Sequence, residues 1–163
     1  MVNGCQLYSQ SDEDEIIGGV FARIGTTNKR FVEFGCGYGT QNNTLNLLTQ
    51  GWSGIWLEPH SKRYQLACKL LKGHPVEIIQ RLVTPINVNE FVTDPLDFLS
   101  IDIDGNDYAV WEAVAARPRV VCIEYDAVRG TPFERMVELG KAKGYELASC
   151  SASAVNAVFV RNG

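Results

Sequence analysis

The run Phe31-Val-Glu-Phe-Gly-Cys-Gly-Tyr-Gly39 carries glycine at every second position directly after a strand-like apolar stretch. Gly35, Gly37 and Gly39 have no Cβ, so the turn they build can take positive φ and let a ligand approach the backbone. The segment that follows, opening near Thr40 to Thr44 and including Asn43, is expected to offer unpaired N–H groups and the positive end of a dipole to an anion. Glu33, on the strand itself, is placed to meet an amino group beside the loop. A second acid closes the run Gly54-Ile-Trp-Leu-Glu58-Pro59, about twenty residues beyond the loop, where Rossmann-like sites keep a carboxylate for ribose hydroxyls. Glu58 and Pro59 are therefore assigned to the same ligand as the loop, the plainer alternative being a solvated strand-end glutamate. The glycine spacing is not the G-x-G-x-x-G of dinucleotide sites, and the chain has no Tyr-x-x-x-Lys pair. Both facts disfavour a nicotinamide-dependent reductase.

A second group of acids sits later in the chain. In Ser100-Ile-Asp-Ile-Asp-Gly105, strand alternation puts Asp102 and Asp104 on one face, with Asp107 just beyond, while Glu124 and Asp126 close the next strand. Open α/β sheets bind ligands outside the carboxyl ends of their strands, so these five carboxylates are expected on one rim. Buried together they repel one another, which raises at least one pKa toward the range of a general base. Alternatively the group holds a divalent cation such as Mg²⁺ that orients a substrate oxygen. The structural alternative is that Asp102 orders its loop and Asp107 caps a helix. Asp102, Asp104 and Glu124 are the catalytic candidates, and Asp102 also borders the ligand of the glycine loop.

These residues need a parallel sheet to bring them together, and the pattern of the chain provides one. Strand-like runs at Phe31 to Gly35, Gly54 to Glu58, Val76 to Gln80, Asp97 to Ile103 and Val120 to Tyr125 alternate with helical periodicities. Ile16, Ile17, Val20, Phe21 and Ile24 mark a first helix, with Ser11 as its cap and the acids Asp12 to Glu15 as a dipole-compatible opening turn. Further helices are expected from about Ser61 to Lys72, from Asp107, and after the Thr131-Pro132-Phe133-Glu134 start signal. Tyr145 to Cys150 and Asn156 to Arg161 are two strand-like runs joined by small residues and should pair as an antiparallel hairpin. The organisation expected is one domain, with residues 1–28 as an N-terminal helical segment and 29–163 as the core.

Composition narrows the function classes. With 15 basic and 19 acidic residues the net charge is −4, so no overall field favours nucleic acid or anionic lipid. No apolar run approaches the roughly 18 residues of a membrane span and no leader is visible, so a cytoplasmic protein is expected. The five cysteines form no C-x-x-C pair, which argues against a disulfide framework or a zinc site; Cys122 and Cys150 read as small buried hydrophobes. The sequon at Asn42-Asn43-Thr44 reads as chance. Self-association is left open.

Joined with Tyr8-Ser-Gln10, Glu13-Asp14, Asn43-Thr44 and Gly51-Trp52-Ser53-Gly54, the glycine run, Leu57-Glu58-Pro59 and Ser100-Ile-Asp-Ile-Asp-Gly105 resemble the FkbM-type methyltransferases and their relatives. Five βα units ending in an antiparallel hairpin likewise resemble the class I methyltransferase fold, a Rossmann-like α/β sandwich. The resemblance implies S-adenosylmethionine as cofactor and O-methylation of a small-molecule or sugar hydroxyl. Two departures stand out: Asp104 occupies a place where the family pattern has glutamate, and the chain is close to a bare core without substrate-covering segments. The second departure supports an alternative function, a non-catalytic S-adenosylmethionine-binding module or a subunit completed by a partner. No N-P-P-Y type sequence follows the fourth strand, so nucleobase amines are disfavoured as acceptors.

Overall fold

The computed structural model describes residues 8–125 and 131–163. The strands are β1 Arg30–Phe34, β2 Ser53–Leu57, β3 Val76–Ile79, β4 Phe98–Ile101, β5 Val120–Glu124, β6 Tyr145–Cys150 and β7 Asn156–Arg161. They form one sheet in the order β3-β2-β1-β4-β5-β7-β6. The first five pair in parallel, and β7 enters antiparallel to both β5 and β6. This is the expected α/β sandwich with its terminal hairpin.

Each central strand is apolar on both sides because both faces are covered. One face carries Phe31, Trp56, Phe98, Cys122 and Val158 under α1 Glu13–Ile24, α2 Leu45–Thr49 and α3 Ser61–Leu70. The other carries Val32, Phe34, Leu99, Ile101 and Ile123 under α4 Asp107–Ala113 and α5 Phe133–Ala142. Between β3 and β4 the connection is a single 3₁₀ turn, Val88–Glu90, so the third of the five expected βα units lacks an α-helix. Thr84, Pro85, Asn87 and Asn89 account for this, since they favour turns over a continued helix. Val88 and Val92 still plug the core from that turn. No helix among the described residues is long and apolar enough to cross a membrane.

The start of α1 differs from expectation. Ser11 does not cap the helix, and the acidic run is largely internal: Glu13 and Asp14 are buried. The Asp14 carboxylate accepts the N–H groups of Tyr8 and Ser9, Glu13 accepts that of Ser11, and Asp12 accepts that of Ala152 in the β6–β7 turn. The acids therefore tie the N-terminal segment to the hairpin.

At the opposite end of the sheet Asp97 is fully buried and accepts from the Thr27 hydroxyl, from the N–H groups of Thr27, Asn28 and Lys29, and from Arg119. Burial opposes its ionisation, but the hydroxyl and the three backbone donors outweigh that and hold the carboxyl below its ordinary range. Asp97→Ala leaves the Thr27 hydroxyl and the three backbone N–H groups unpaired and takes from Arg119 its carboxylate partner, although Arg119 still donates to the Ile24 and Gly25 carbonyls, and unfolding in urea should show a loss of about 3–5 kcal/mol, the range for breaking a buried charged pair. Because the folded pKa is depressed, the contribution of Asp97 is present above the ordinary carboxylate pKa and disappears as pH falls through the folded value.

Candidate functional site

The carboxyl ends of β1, β2 and β4 open onto a cleft of about 410 Å³, within the size range of small-ligand sites. Glu33, Gly35, Gly37, Asn43, Glu58, Pro59, Asp102 and Asp104 all line it. Gly39 and Glu124 do not border it directly.

The three glycines separate by role. Gly35 has φ +79°, and a Cβ there would lie 1.7 Å from the carbonyl oxygen of Asp102, so it lets the loop cross the end of β4. Gly39 is packed against Trp56. Gly37, at φ +56°, faces nothing within 4 Å, which leaves it as the glycine whose missing side chain keeps the cleft open. Glu58 is almost completely buried, and its two oxygens accept the N–H groups of Gly37 at 2.9 Å and His60 at 2.8 Å. It thus clamps the glycine loop to the end of β2. A carboxylate has about four acceptor positions, so two remain for a ligand.

Glu33 borders the cleft beside the glycine loop, with its carboxylate already engaged by protein donors. Its carboxylate accepts the hydroxyl of Thr44 and, at 3.0 Å, the N–H of Asn43. Trp56 Nε1 donates to Thr44 Oγ1 at 2.7 Å, and Asn43 Nδ2 donates to Ser100 Oγ at 3.0 Å. Burial pushes Glu33 up to about 7 against the opposing pull of these bonds. Of the N–H groups expected to await a ligand anion, that of Asn43 already holds Glu33, and the helix that follows is only Leu45–Thr49. Asn42 is buried too, its Nδ2 donating to the Cys36 carbonyl, which makes the sequon inaccessible.

The later acids do converge, although not by strand alternation alone. β4 ends at Ile101, and Asp104 reaches the rim from a turn at φ +57°. Asp102, Asp104 and Glu124 each present a carboxylate oxygen within 4.8 Å of the others. Burial, then the charge of Asp107, raise Asp102 to about 6; burial, then the charge of Asp102, raise Glu124 to about 8. The two carboxyls are hydrogen bonded to each other, so the pair holds one proton near neutrality. An all-carboxylate group of this size also matches the donors of a hard divalent cation. Asp107 has the structural role: its oxygens accept the N–H groups of Ile103 and Gly105, both at 2.9 Å. Asp126 lies outside the described residues.

Sequence reasoning missed Asn156, which lines the cleft from β7. It also missed Leu82, Val83 and Arg63 at the Glu58 end. Nothing local marks Asn156 as special, because its position depends on which strand β7 joins. Among the described cysteines none is in a disulfide; Cys122 is buried and Cys150 half-buried.

No protein-family model matches the chain, and no curated protein sequence does. Solved structures do. An amino pentose methyltransferase from Micromonospora echinaspora, solved with S-adenosylmethionine bound, superposes with TM-score 0.64 at 12% identity, over 94% of this chain and 92% of that one. A sugar N-methyltransferase from Streptoalloteichus gives 0.65 at 14%, over 93% and 87%. A TehB-like S-adenosylmethionine-dependent methyltransferase from Corynebacterium glutamicum gives 0.61 at 14%, over 94% and 89%. The chain therefore has the Rossmann-like fold of S-adenosylmethionine-dependent methyltransferases.

Proposed function

We propose that this protein binds S-adenosylmethionine in the cleft and transfers its methyl group to a hydroxyl of a small molecule or sugar. The observation that carries the reading is one continuous cleft with the Glu58-clamped glycine loop at one end and the Asp102 cluster at the other. Its residues fit the cofactor: Glu58 has acceptor capacity for ribose hydroxyls, and Gly37 leaves room along the backbone. The sugar methyltransferases that share the fold support a sugar acceptor, and the FkbM-type motifs support oxygen as its nucleophile.

When bound, S-adenosylmethionine supplies an electrophilic methyl on a sulfonium. The protein's part is to align the acceptor and to take its proton. Transfer of that methyl to an acceptor oxygen would leave the electron pair of the carbon–sulfur bond on sulfur. The hydroxyl proton passes to the ionised Asp102, whose raised pKa suits that transfer. Asp102, Asp104 and Glu124 would hold a divalent cation if one is required, orienting the same oxygen.

Calorimetry with S-adenosylhomocysteine tests the cofactor assignment. Binding to the native protein is expected, and Glu58→Ala should weaken it by about 1.5–3 kcal/mol through loss of charge-assisted bonds. Unchanged affinity in that variant would remove Glu58 from the ligand site. A second reading is a binding module completed by a partner. It is favoured by Tyr38 and Leu82, which line the cleft yet are 49% and 61% exposed. Full S-adenosylhomocysteine affinity without methyl transfer to any acceptor, restored by a co-purifying subunit, would select it.

A further inference from the structure

One edge of the sheet is β3, and the helix before it, α3, keeps only one side in the core. Ala67 and Leu71 are buried there against Trp56 and Gly39. The outward side is apolar as well: Leu66 and Leu70, one turn apart, are 44% and 53% exposed. Tyr38 of the glycine loop joins them with Thr40 and Lys69 around a shallow hollow of about 480 Å³. Among the described residues, the five most exposed large apolar side chains are these three together with Leu82 and Ile86, on the connection leaving β3. Apolar exposure is thus gathered at one edge of the sheet, and a contiguous exposed patch of this kind marks an interaction surface.

The same edge is positive in a chain whose net charge is −4. Residues 59–76 carry Lys62, Arg63, Lys69 and Lys72, four of the 15 basic residues, and none of the 19 acidic ones. Lys62, Leu66, Lys69 and Leu70 recur at helical spacing, so cations and leucines share one stripe of α3. Arg63 lies over the Tyr38 ring, 5.6 Å from its centroid. Composition decides between the two surfaces that suit a positive apolar stripe, a protein and a bilayer. Lysine is depleted in protein–protein interfaces and leucine is under-represented among their hot spots, whereas lysines flanking leucines on a helix suit the boundary of an anionic bilayer.

We propose that this edge docks peripherally on anionic phospholipid bilayers, with Leu66 and Leu70 entering the headgroup boundary and Lys62, Lys69 and Lys72 lying against lipid phosphates. Each cation near such a surface strengthens binding about fivefold, and the acids elsewhere on the chain are repelled by it, which fixes the orientation. Because Tyr38 and Thr40 border both the hollow and the cleft, docking brings the mouth of the cleft to the lipid surface. The docking does not depend on what the cleft holds.

Flotation of the full chain with vesicles tests the docking. The protein should rise with vesicles of equal parts phosphatidylserine and phosphatidylcholine at low salt and stay behind with phosphatidylcholine alone. It should be released at about 0.5 M salt, where charges are screened within a few ångströms. Lys69→Gln should lower the bound-to-free ratio about fivefold. Lys141→Gln, on the exposed side of α5 across the sheet, should leave it unchanged. Leu66→Gln combined with Leu70→Gln, which keeps good helix formers, should lower it by at least about tenfold in a protein still folded by circular dichroism. Lys69→Gln carries the test if that double variant does not fold. No flotation with the mixed vesicles, equal flotation with both vesicle types, or flotation that survives the lysine and leucine changes alike overturns the proposal. A chain that ignores vesicles but sediments as a dimer, dissociated by the leucine pair, gives this face to a second copy instead.

Discussion

Asp102→Asn should lower methyl transfer by about 10²–10⁴-fold, the usual contribution of a general base. Affinity for S-adenosylhomocysteine should fall by about tenfold at most, since asparagine retains an oxygen acceptor at that place. The difference between these effects separates a base from a residue that only holds the cofactor. The pH dependence supplies an independent check. Asp102 must be ionised to accept a proton, and the pair it forms with Glu124 loses its protons in steps near 6 and 8. Turnover should therefore rise with pH across that interval. Glu124→Gln removes one of the two titrating groups, so the rise should be complete nearer 6. Full turnover in both Asp102→Asn and Asp104→Asn would show that the acidic rim is structural. Turnover is expected to be indifferent to chelator; loss on chelation with recovery in Mg²⁺ would assign the same three carboxylates to a cation.

The two loop glycines should fail in opposite ways. Gly35→Ala drives a Cβ into the Asp102 carbonyl at 1.7 Å, and backbone lies on both sides of that contact. The cost should exceed the roughly 1–3 kcal/mol of an ordinary strained conformation, so circular dichroism and thermal melting should report a badly destabilised or unfolded chain. Gly37→Val meets no neighbour within 4 Å. It bears only the strain of a β-branched residue at positive φ, so the fold should persist while the side chain fills the space left for the ligand. Calorimetry should then find no S-adenosylhomocysteine binding to a folded protein. A Gly37→Val protein that binds normally would show that the ligand does not pass this side of the loop.

Local sequence determined the elements and the glycine turn. The hairpin strands Tyr145–Cys150 and Asn156–Arg161 fall where alternation of side chains places them, and the ends of the parallel strands move by only a residue or two. Burial on two faces and the αL demands of glycine both act over a few neighbouring residues, so both are legible in one dimension. The acids are another matter. Four of them, Glu33, Glu58, Asp102 and Asp107, all stand at strand ends or in their loops. Only the packing shows that Glu33 is closed in by Thr44 and Asn43, that Asp107 is engaged by two backbone N–H groups, and that Glu58 clamps Gly37. A carboxylate's role depends on which donors reach it and how much water is excluded, and both are set by segments far away in the chain. Asn156 is the clearest case: it joins Glu124 because β7 inserts between β5 and β6, a pairing decided by the tertiary fold rather than by any residue near position 156.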